Sequence, residues 1–507
     1  MRRIDGRELI ARLSTFISDS GLRASSFRGG AILGVSGGFE SAARLARNVI
    51  FARLLAPQLF GLMAVVLSFS GLLESLTEAG VRYAIIQNPR GNERAYLNIA
   101  WWFSSVRGLL LYSVAFAAAP LVARFYDNYE LTWLIRVSCS AILFNGCLSV
   151  ALFADMKGME FKSWALACNG GSIISLAATV LFAFYYPTVW ALVFGLVSDA
   201  AIRCIMSYVV RPFMPRWKFA KDDLAALLKY SRGFVGLPIL YAVSRTADVF
   251  TLAKVASPGL VGIYSLASSL VRAPQDLVNR VVAQVALPAL SAVQDDKPKL
   301  RKAVLQGVSL LASLAFPAIA FAWLYGGFLL RIVYGPRYAA AGIPFAILFT
   351  AAAIEITTVP IATLYFATGK PGLHRLFSLV RAAVLIISIA PACYLFGWNG
   401  AAFSVLLATA GGYAVQALRI RSIINIRTSE IVKSLGKPLI RTVAAFPVWL
   451  AGDGLFPGTN LKMRVTVAGL GLLIAYGLTA WPYLGRKGSY NSGDTPVMER
   501  GRKASGE

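Results

Sequence analysis

The sequence predicts an all-α, polytopic membrane protein of about fourteen transmembrane helices. Two six-helix lobes related by a pseudo-two-fold are followed by two extra C-terminal helices. Three observations carry this prediction. Of 507 residues, 57% are hydrophobic and 15% charged, against about 25% charged in a soluble globular chain. Apolar runs approach or exceed the ~20 residues a helix needs to cross a bilayer: Ala303–Tyr325 carries no charge, and Leu59–Leu76 carries only Glu74. Finally, one segment recurs further along the chain at a constant offset.

Residues 1–28 hold six arginines and no apolar run of signal-peptide length, so they are expected to form a cytoplasmic amphipathic lead-in. Six spans follow as an N-lobe over 29–210: Gly29–Leu54, Leu59–Glu78, Ala95–Val122, Leu131–Leu152, Ser163–Tyr185 and Val189–Val210. A basic cytoplasmic linker, 211–232, contains Asp222–Tyr230, which reads as a helix lying on the membrane surface. The C-lobe, 233–420, comprises Gly233–Ala256, Val261–Val282, Ala303–Leu329, Ala340–Thr368, Leu373–Phe396 and Gly400–Ile420. Within 421–485 come two more spans, Leu439–Leu455 and Val465–Leu484, and residues 486–507 read as a disordered cytoplasmic tail.

Charge fixes the orientation. Basic residues collect in the even-numbered loops, as in Arg82, Arg90 and Arg94, or Lys297, Lys299, Arg301 and Lys302. Odd-numbered loops such as Ala56-Pro57-Gln58 and Gly397-Trp398-Asn399 are short and mostly uncharged, with Arg124, Arg331, Arg337, Lys462 and Arg464 as exceptions. Even loops and both termini are therefore expected in the cytoplasm. The same rule absorbs most of the formal net charge of +26. With no basic domain free of the membrane, nucleic acid is excluded as a partner.

Five cysteines in or beside apolar runs and a single histidine, His374, give no metal-ligand spacing, so no metal or other cofactor is expected. His374 lies beside Lys370 and Arg375 and reads as an interfacial residue of the cytoplasmic side. No GxGxxG or Walker pattern occurs, which argues against direct ATP hydrolysis. Pro238, Pro274, Pro288, Pro317, Pro344 and Pro360 fall within spans and are expected to kink or end them. Gly37-Gly38 and Gly170-Gly171 suit close helix packing.

The repeat aligns Ala52-Arg53-Leu54-Leu55-Ala56-Pro57-Gln58-Leu59-Phe60-Gly61 with Ala253-Lys254-Val255-Ala256-Ser257-Pro258-Gly259-Leu260-Val261-Gly262, at an offset of 253 − 52 = 201 with no gap. At the same offset Arg44 meets Arg245 and Ser68 meets Ser269. The copies lie six spans apart and so enter the membrane in the same direction, which predicts parallel lobes with a site between them.

Ionisable groups at bilayer depth cost a few kcal/mol and usually face a partner or a cavity. Glu40, Arg44 and Arg47, spaced i, i+4, i+7, form one stripe of the first helix. Tyr241, Arg245 and Asp248 occupy the corresponding places in the repeat, and Arg272 and Asp276 follow in the eighth span. Arg107, Arg136, Asp199, Arg203, Glu355 and Arg381 are further interior charges. Local pairing of Glu40 with Arg44 or of Arg245 with Asp248 is the bland reading, along with snorkelling of Arg47. Taken together, arginines outnumber carboxylates, and guanidinium forks match phosphate or diphosphate oxygens bidentately.

The run Val49-Ile50-Phe51-Ala52-Arg53-Leu54-Leu55-Ala56-Pro57, with Gly61-Leu62-Met63-Ala64 and Leu76-Thr77-Glu78-Ala79-Gly80, resembles the start of bacterial polysaccharide exporters. These are the lipid-linked oligosaccharide flippases of the multidrug/oligosaccharidyl-lipid/polysaccharide superfamily. Gly262-Ile263-Tyr264-Ser265-Leu266-Ala267, then Pro274 and Pro288-Ala289-Leu290-Ser291, resembles that family's eighth helix and the connection after it. The resemblance implies a V-shaped bundle in the bacterial inner membrane, not an enzyme. It implies alternating-access transport of an undecaprenyl-pyrophosphate-linked repeat unit, in service of exopolysaccharide or lipopolysaccharide synthesis. Its partners would be the lipid-linked oligosaccharide, the bilayer, a polysaccharide polymerase and glycosyltransferases. Substrate-binding roles are expected for Arg44, Arg47, Arg245 and Arg272, and ion-coupling roles for Glu40, Asp248 or Glu355. Two rival readings stay open: a drug or organic-cation exporter of the same superfamily, which calls for acids in the lumen, and a membrane-embedded glycan polymerase or ligase, which needs a larger external surface than these short loops offer.

Overall fold

The computed structural model describes residues 22–76, 80–216, 223–225, 227–228, 236–291, 293–455 and 469–477. Most of the N-terminal lead-in, much of the 211–232 linker, the tail, and Val465–Leu484 apart from 469–477 lie outside the described residues. The described chain is helical, without strands.

The N-lobe holds α1 (Leu22–Leu54), α2 (Pro57–Leu76), the short α3 (Val81–Gln87) and α4 (Arg94–Phe125). It continues with α5 (Glu130–Ser138), α6 (Ser140–Gly146), α7 (Ala151–Lys157), α8 (Lys162–Tyr185) and α9 (Val189–Val210). Leu227, in the linker, is buried against Val81, Ala84 and Ile85, and Asp223 pairs with Arg90 at 2.8 Å, so this part of the linker packs onto the N-lobe. The C-lobe holds α10 (Leu237–Val255), α11 (Pro258–Ser291), α12 (Lys297–Val333), a 3-10 turn (Pro336–Ala341), α13 (Gly342–Ala367) and α14 (Pro371–Arg419). The single turn α15 (Arg421–Ile424) and α16 (Thr428–Leu455) follow.

Helix starts follow local chemistry. Pro57 opens α2, where its missing N–H costs nothing. Asp296 caps α12 by accepting from the Lys299 amide at 3.0 Å, and this bond holds its carboxyl below the usual range.

Among the described residues, seven helices have the length and hydropathy of a span, or eight if a bent pair is counted as one span. That is compatible with about fourteen. The helix α14, 49 residues long, would measure about 74 Å if straight, far beyond a ~30 Å hydrocarbon core. Gly397, at φ 57 and ψ −133, breaks it into the two expected spans. Helices α1, α10 and α11 fall short on hydropathy because they carry the interior charges.

The structure departs from the expected spans in two further places. The fourth span is broken: residues 130–146 and 151–157 are inclined at 53°. The break frees the Cys147 carbonyl, which accepts from Tyr208 Oη at 2.8 Å. The eighth span runs past its expected end at Val282, since α11 continues through Pro274 and Pro288 to Ser291, 34 residues in all.

The repeat is visible as packing. A Cβ on Gly61 would overlap the Pro258 carbonyl, and one on Gly262 would overlap the Pro57 carbonyl. The two copies of the motif thus cross backbone to backbone, each glycine beneath the other's proline. One buried cluster spans the crossing, with Phe51, Leu55 and Phe60 from the N-lobe and Leu252, Val261 and Tyr264 from the C-lobe. Arg53 donates to the Ile332 carbonyl at 2.8 Å, and Lys254, its counterpart 201 residues on, donates to the Phe125 carbonyl at 2.6 Å.

Candidate functional site

Beside this crossing, α1, α2, α10 and α11 enclose a cavity of about 330 Å³ between the lobes. Arg44, Arg47, Arg245 and Arg272 all line it. Phe51 and Phe60 lie at its crossing end, and Asn48 Nδ2 donates across the lobes to Ser269 Oγ at 2.9 Å. The sequence joined Arg44, Arg47 and Arg245 by helical spacing and the 201-residue offset, and added Arg272 for its place near the middle of the eighth span. The structure brings them to one space.

Their pairing separates the lobes. Arg245 meets Asp276 at 2.6 Å. Arg272 donates to the Arg245 carbonyl at 2.9 Å and lies 3.9 Å from Asp248. Neither Arg44 nor Arg47 has an ion pair among the described residues. Asp276 is the cavity's lone lining carboxylate among the described residues, so the space carries an excess of positive charge, weighted towards the N-lobe. Guanidinium groups without a counter-ion in a half-enclosed space suit a multiply charged oxyanion.

The three acids expected to couple ions lie apart. Glu40 does not pair with Arg44 but sits beside Cys168 of α8, within the N-lobe. Asp248 does not pair with Arg245. It is buried, accepts from Tyr264 Oη at 2.9 Å and stands behind Arg272. Glu355 is held by Arg381 at 2.7 Å. Asp199 and Arg203 pair with each other at 3.0 Å. Arg136 lies over the Phe116 ring at 4.1 Å.

A family model described as "Polysaccharide biosynthesis protein" matches residues 50–342, more than half of the chain, including both copies of the repeated motif. The chain belongs to the polysaccharide biosynthesis protein family. Similar proteins include lipopolysaccharide biosynthesis protein WzxC of Escherichia coli, 22% identical over 369 residues, which are 72% of this chain and 74% of that protein. Teichuronic acid biosynthesis protein TuaB of Bacillus subtilis is 20% identical over 410 residues, 77% of this chain and 82% of that one. Among solved structures, lipid II flippase MurJ in its inward closed conformation superposes with a TM-score of 0.72 at 13% identity, over 89% of this chain and 99% of that chain. An inward-facing multidrug resistance MATE family transporter of the MOP superfamily gives 0.62 at 13% identity, over 76% and 95%. At such identities these two likenesses speak for the fold.

In this polysaccharide biosynthesis family member a second cavity, about 630 Å³, is lined mostly by the C-lobe, with Gly71 and Ser75 of α2 on its N-lobe side, and shares Arg245 and Arg272 with the first. Here the structure corrects the reading of His374. Far from being an interfacial side chain, it is 5% exposed, lines this cavity, and its Nε2 lies 2.5 Å from Tyr241 Oη. Arg381 and Glu355 line the same space. A signal was present in the sequence: His374, Phe377, Ser378 and Arg381, at i, i+3, i+4 and i+7, make one buried stripe of α14.

Proposed function

We propose that this chain flips an undecaprenyl-pyrophosphate-linked oligosaccharide, an exopolysaccharide or O-antigen repeat unit, across the bacterial inner membrane by alternating access. The observation that carries the reading is the convergence of Arg44, Arg47, Arg245 and Arg272 on one inter-lobe cavity, two of them without a carboxylate partner among the described residues. The family and the relatives, named for lipopolysaccharide and teichuronic acid biosynthesis, support it. Loop charge puts both termini in the cytoplasm. The Pro57/Pro258 crossing is then the outer seal, and the arginines open inwards.

The diphosphate enters from the cytoplasmic leaflet while its polyprenyl tail remains in lipid. Two opposed arginine pairs, one per lobe, bind it from both sides, so the bound anion cancels the repulsion that holds the lobes' inner ends apart. The lobes then rock about the crossing and release the sugar outside. Of the three coupling candidates, Asp248 suits the role best, since protonating it would release Arg272 from its 3.9 Å approach towards the diphosphate. Glu40 and Glu355 are engaged inside single lobes. The protein partners are the polymerase and glycosyltransferases that consume and supply the lipid-linked unit. Chemistry of bond making is not assigned to the chain. A cation-exporter reading would require acids facing the lumen, and the arginine excess disfavours it.

The test is a double variant, Arg44→Ala with Arg245→Ala, in cells lacking the native chain. Polymer at the surface should fall at least about tenfold, the effect of losing roughly 1.4 kcal/mol of binding, while the protein stays in the membrane. Undiminished polymer with stably inserted protein would overturn the assignment.

A further inference from the structure

The second cavity has a lining unlike the first. Tyr241 and Phe366, 37% and 46% exposed, line it together with the buried His374 and Phe377. Ring centroids run 6.1 Å from Tyr241 to His374, 5.3 Å from Phe366 to His374 and 5.7 Å from His374 to Phe377, a continuous aromatic wall. Opposite chemistry lies in the same space: the Glu355–Arg381 pair, Thr358 and Asn279. Two polar atoms of lining residues, His374 Nδ1 and Asn279 Oδ1, are buried without a hydrogen-bond partner among the described residues.

We infer that this second cavity is a sugar subsite, which receives the pyranose ring nearest the diphosphate while the arginines hold the diphosphate itself. The inference rests on the function proposed above. A pyranose has an apolar C–H face, which stacks on an aromatic ring, and a rim of hydroxyls that both donate and accept. The aromatic wall suits the face. A carboxylate, a guanidinium, a threonine and an amide suit the rim. A polyprenyl tail would call for apolar surroundings throughout, and an inorganic ion would leave most of the volume empty. At about 630 Å³ the cavity falls within the roughly 300–1,000 Å³ of small-molecule sites. Arg245 and Arg272 line both cavities, so the two spaces adjoin at these side chains and a diphosphate held by them would place its first sugar at the second cavity. Specificity for the repeat unit would then reside on α10, α13 and α14, and affinity common to all substrates on the arginines.

The experiment uses the purified full chain in lipid nanodiscs and four probes: undecaprenyl diphosphate alone, and the same lipid carrying glucose, galactose or N-acetylglucosamine. The unaltered protein should bind at least one glycosylated probe about tenfold more tightly than the bare lipid. Phe366→Leu and Tyr241→Leu, each preserving apolar bulk without a ring, should erase that preference and leave bare-lipid affinity in place. Tyr241→Phe, which keeps the ring, should retain most of it. The variant Arg44→Ala with Arg47→Ala should weaken all four probes alike. If no probe shows a preference, or if both leucine variants keep it, the sugar subsite is overturned while the flippase reading stands. If no probe binds, or the arginine variant binds like the unaltered protein, the flippase reading itself fails. Melting temperatures of each variant separate lost recognition from lost fold.

Discussion

Arg381 and Glu355, 2.7 Å apart with side chains 10% and 20% exposed, are the most enclosed ion pair among those described. Removing one partner from such a pair leaves a largely enclosed charge without its counter-ion. Arg381→Ala is therefore expected to destabilise the C-lobe by about 1–3 kcal/mol, less than for a fully buried pair because both groups line a cavity, whereas Arg381→Leu with Glu355→Leu should cost less. Thermal unfolding in detergent measures the difference, and equal losses from the single and double variants would refute it. This pair also shows what the sequence displays and what it hides at residue scale. An arginine within an apolar run is conspicuous, which is why Arg44, Arg47, Arg245, Arg272 and Arg381 were all legible. Partners were not. Helical spacing favoured Glu40–Arg44 and Arg245–Asp248, yet Arg245 reaches Asp276 across 31 positions, on the neighbouring helix α11. His374 was misread for a related reason. Its neighbours Lys370 and Arg375 mark an interface, but the winding of α14 turns position 374 inwards and leaves Arg375 exposed.

Helices were legible wherever length and hydropathy agreed, as in Val189–Val210, and less so where backbone geometry intervened. Nothing in the apolar pattern showed that the fourth span would break after Gly146, whose position leaves no room for a Cβ beside the Ser104 carbonyl. The crossing of α2 and α11 was legible only as a repeated string of letters, and its meaning came from packing. Both glycines there are constrained by the opposite backbone. Gly61→Ala or Gly262→Ala should push the helices apart at a cost of about 1–3 kcal/mol. Gln58 and Gly259 face each other at this point, with 3.6 Å between the Gln58 side chain and a Cβ built on Gly259. A disulfide between Gln58→Cys and Gly259→Cys should therefore form readily in an otherwise unaltered chain. Its yield should drop several-fold when Gly61→Ala is added, and an unchanged yield would mean the crossing tolerates the methyl group.

Each lobe closes a helix end belonging to the other. Arg53 of α1 meets a carbonyl of the last turn of α12, and Lys254 of α10 meets the final carbonyl of α4, together with Asp127 at 2.9 Å. A cation at a helix C-terminus is favourable because unpaired carbonyls and the aligned peptide dipoles concentrate negative charge there. Both bonds are lost when the lobes separate on this face. Arg53→Ala with Lys254→Ala should consequently enrich the outward-open population. The readout is a longer distance between spin labels on either side of the seal, and a distribution like that of the unaltered chain would sink the idea. The reciprocal arrangement of prolines and glycines carries one more implication. Two contacts related by a rotation axis through their midpoint stretch together under any motion that respects that axis. If the lobes keep that axis as they rock, the two seams part together and no half-open slit forms through which ions would leak.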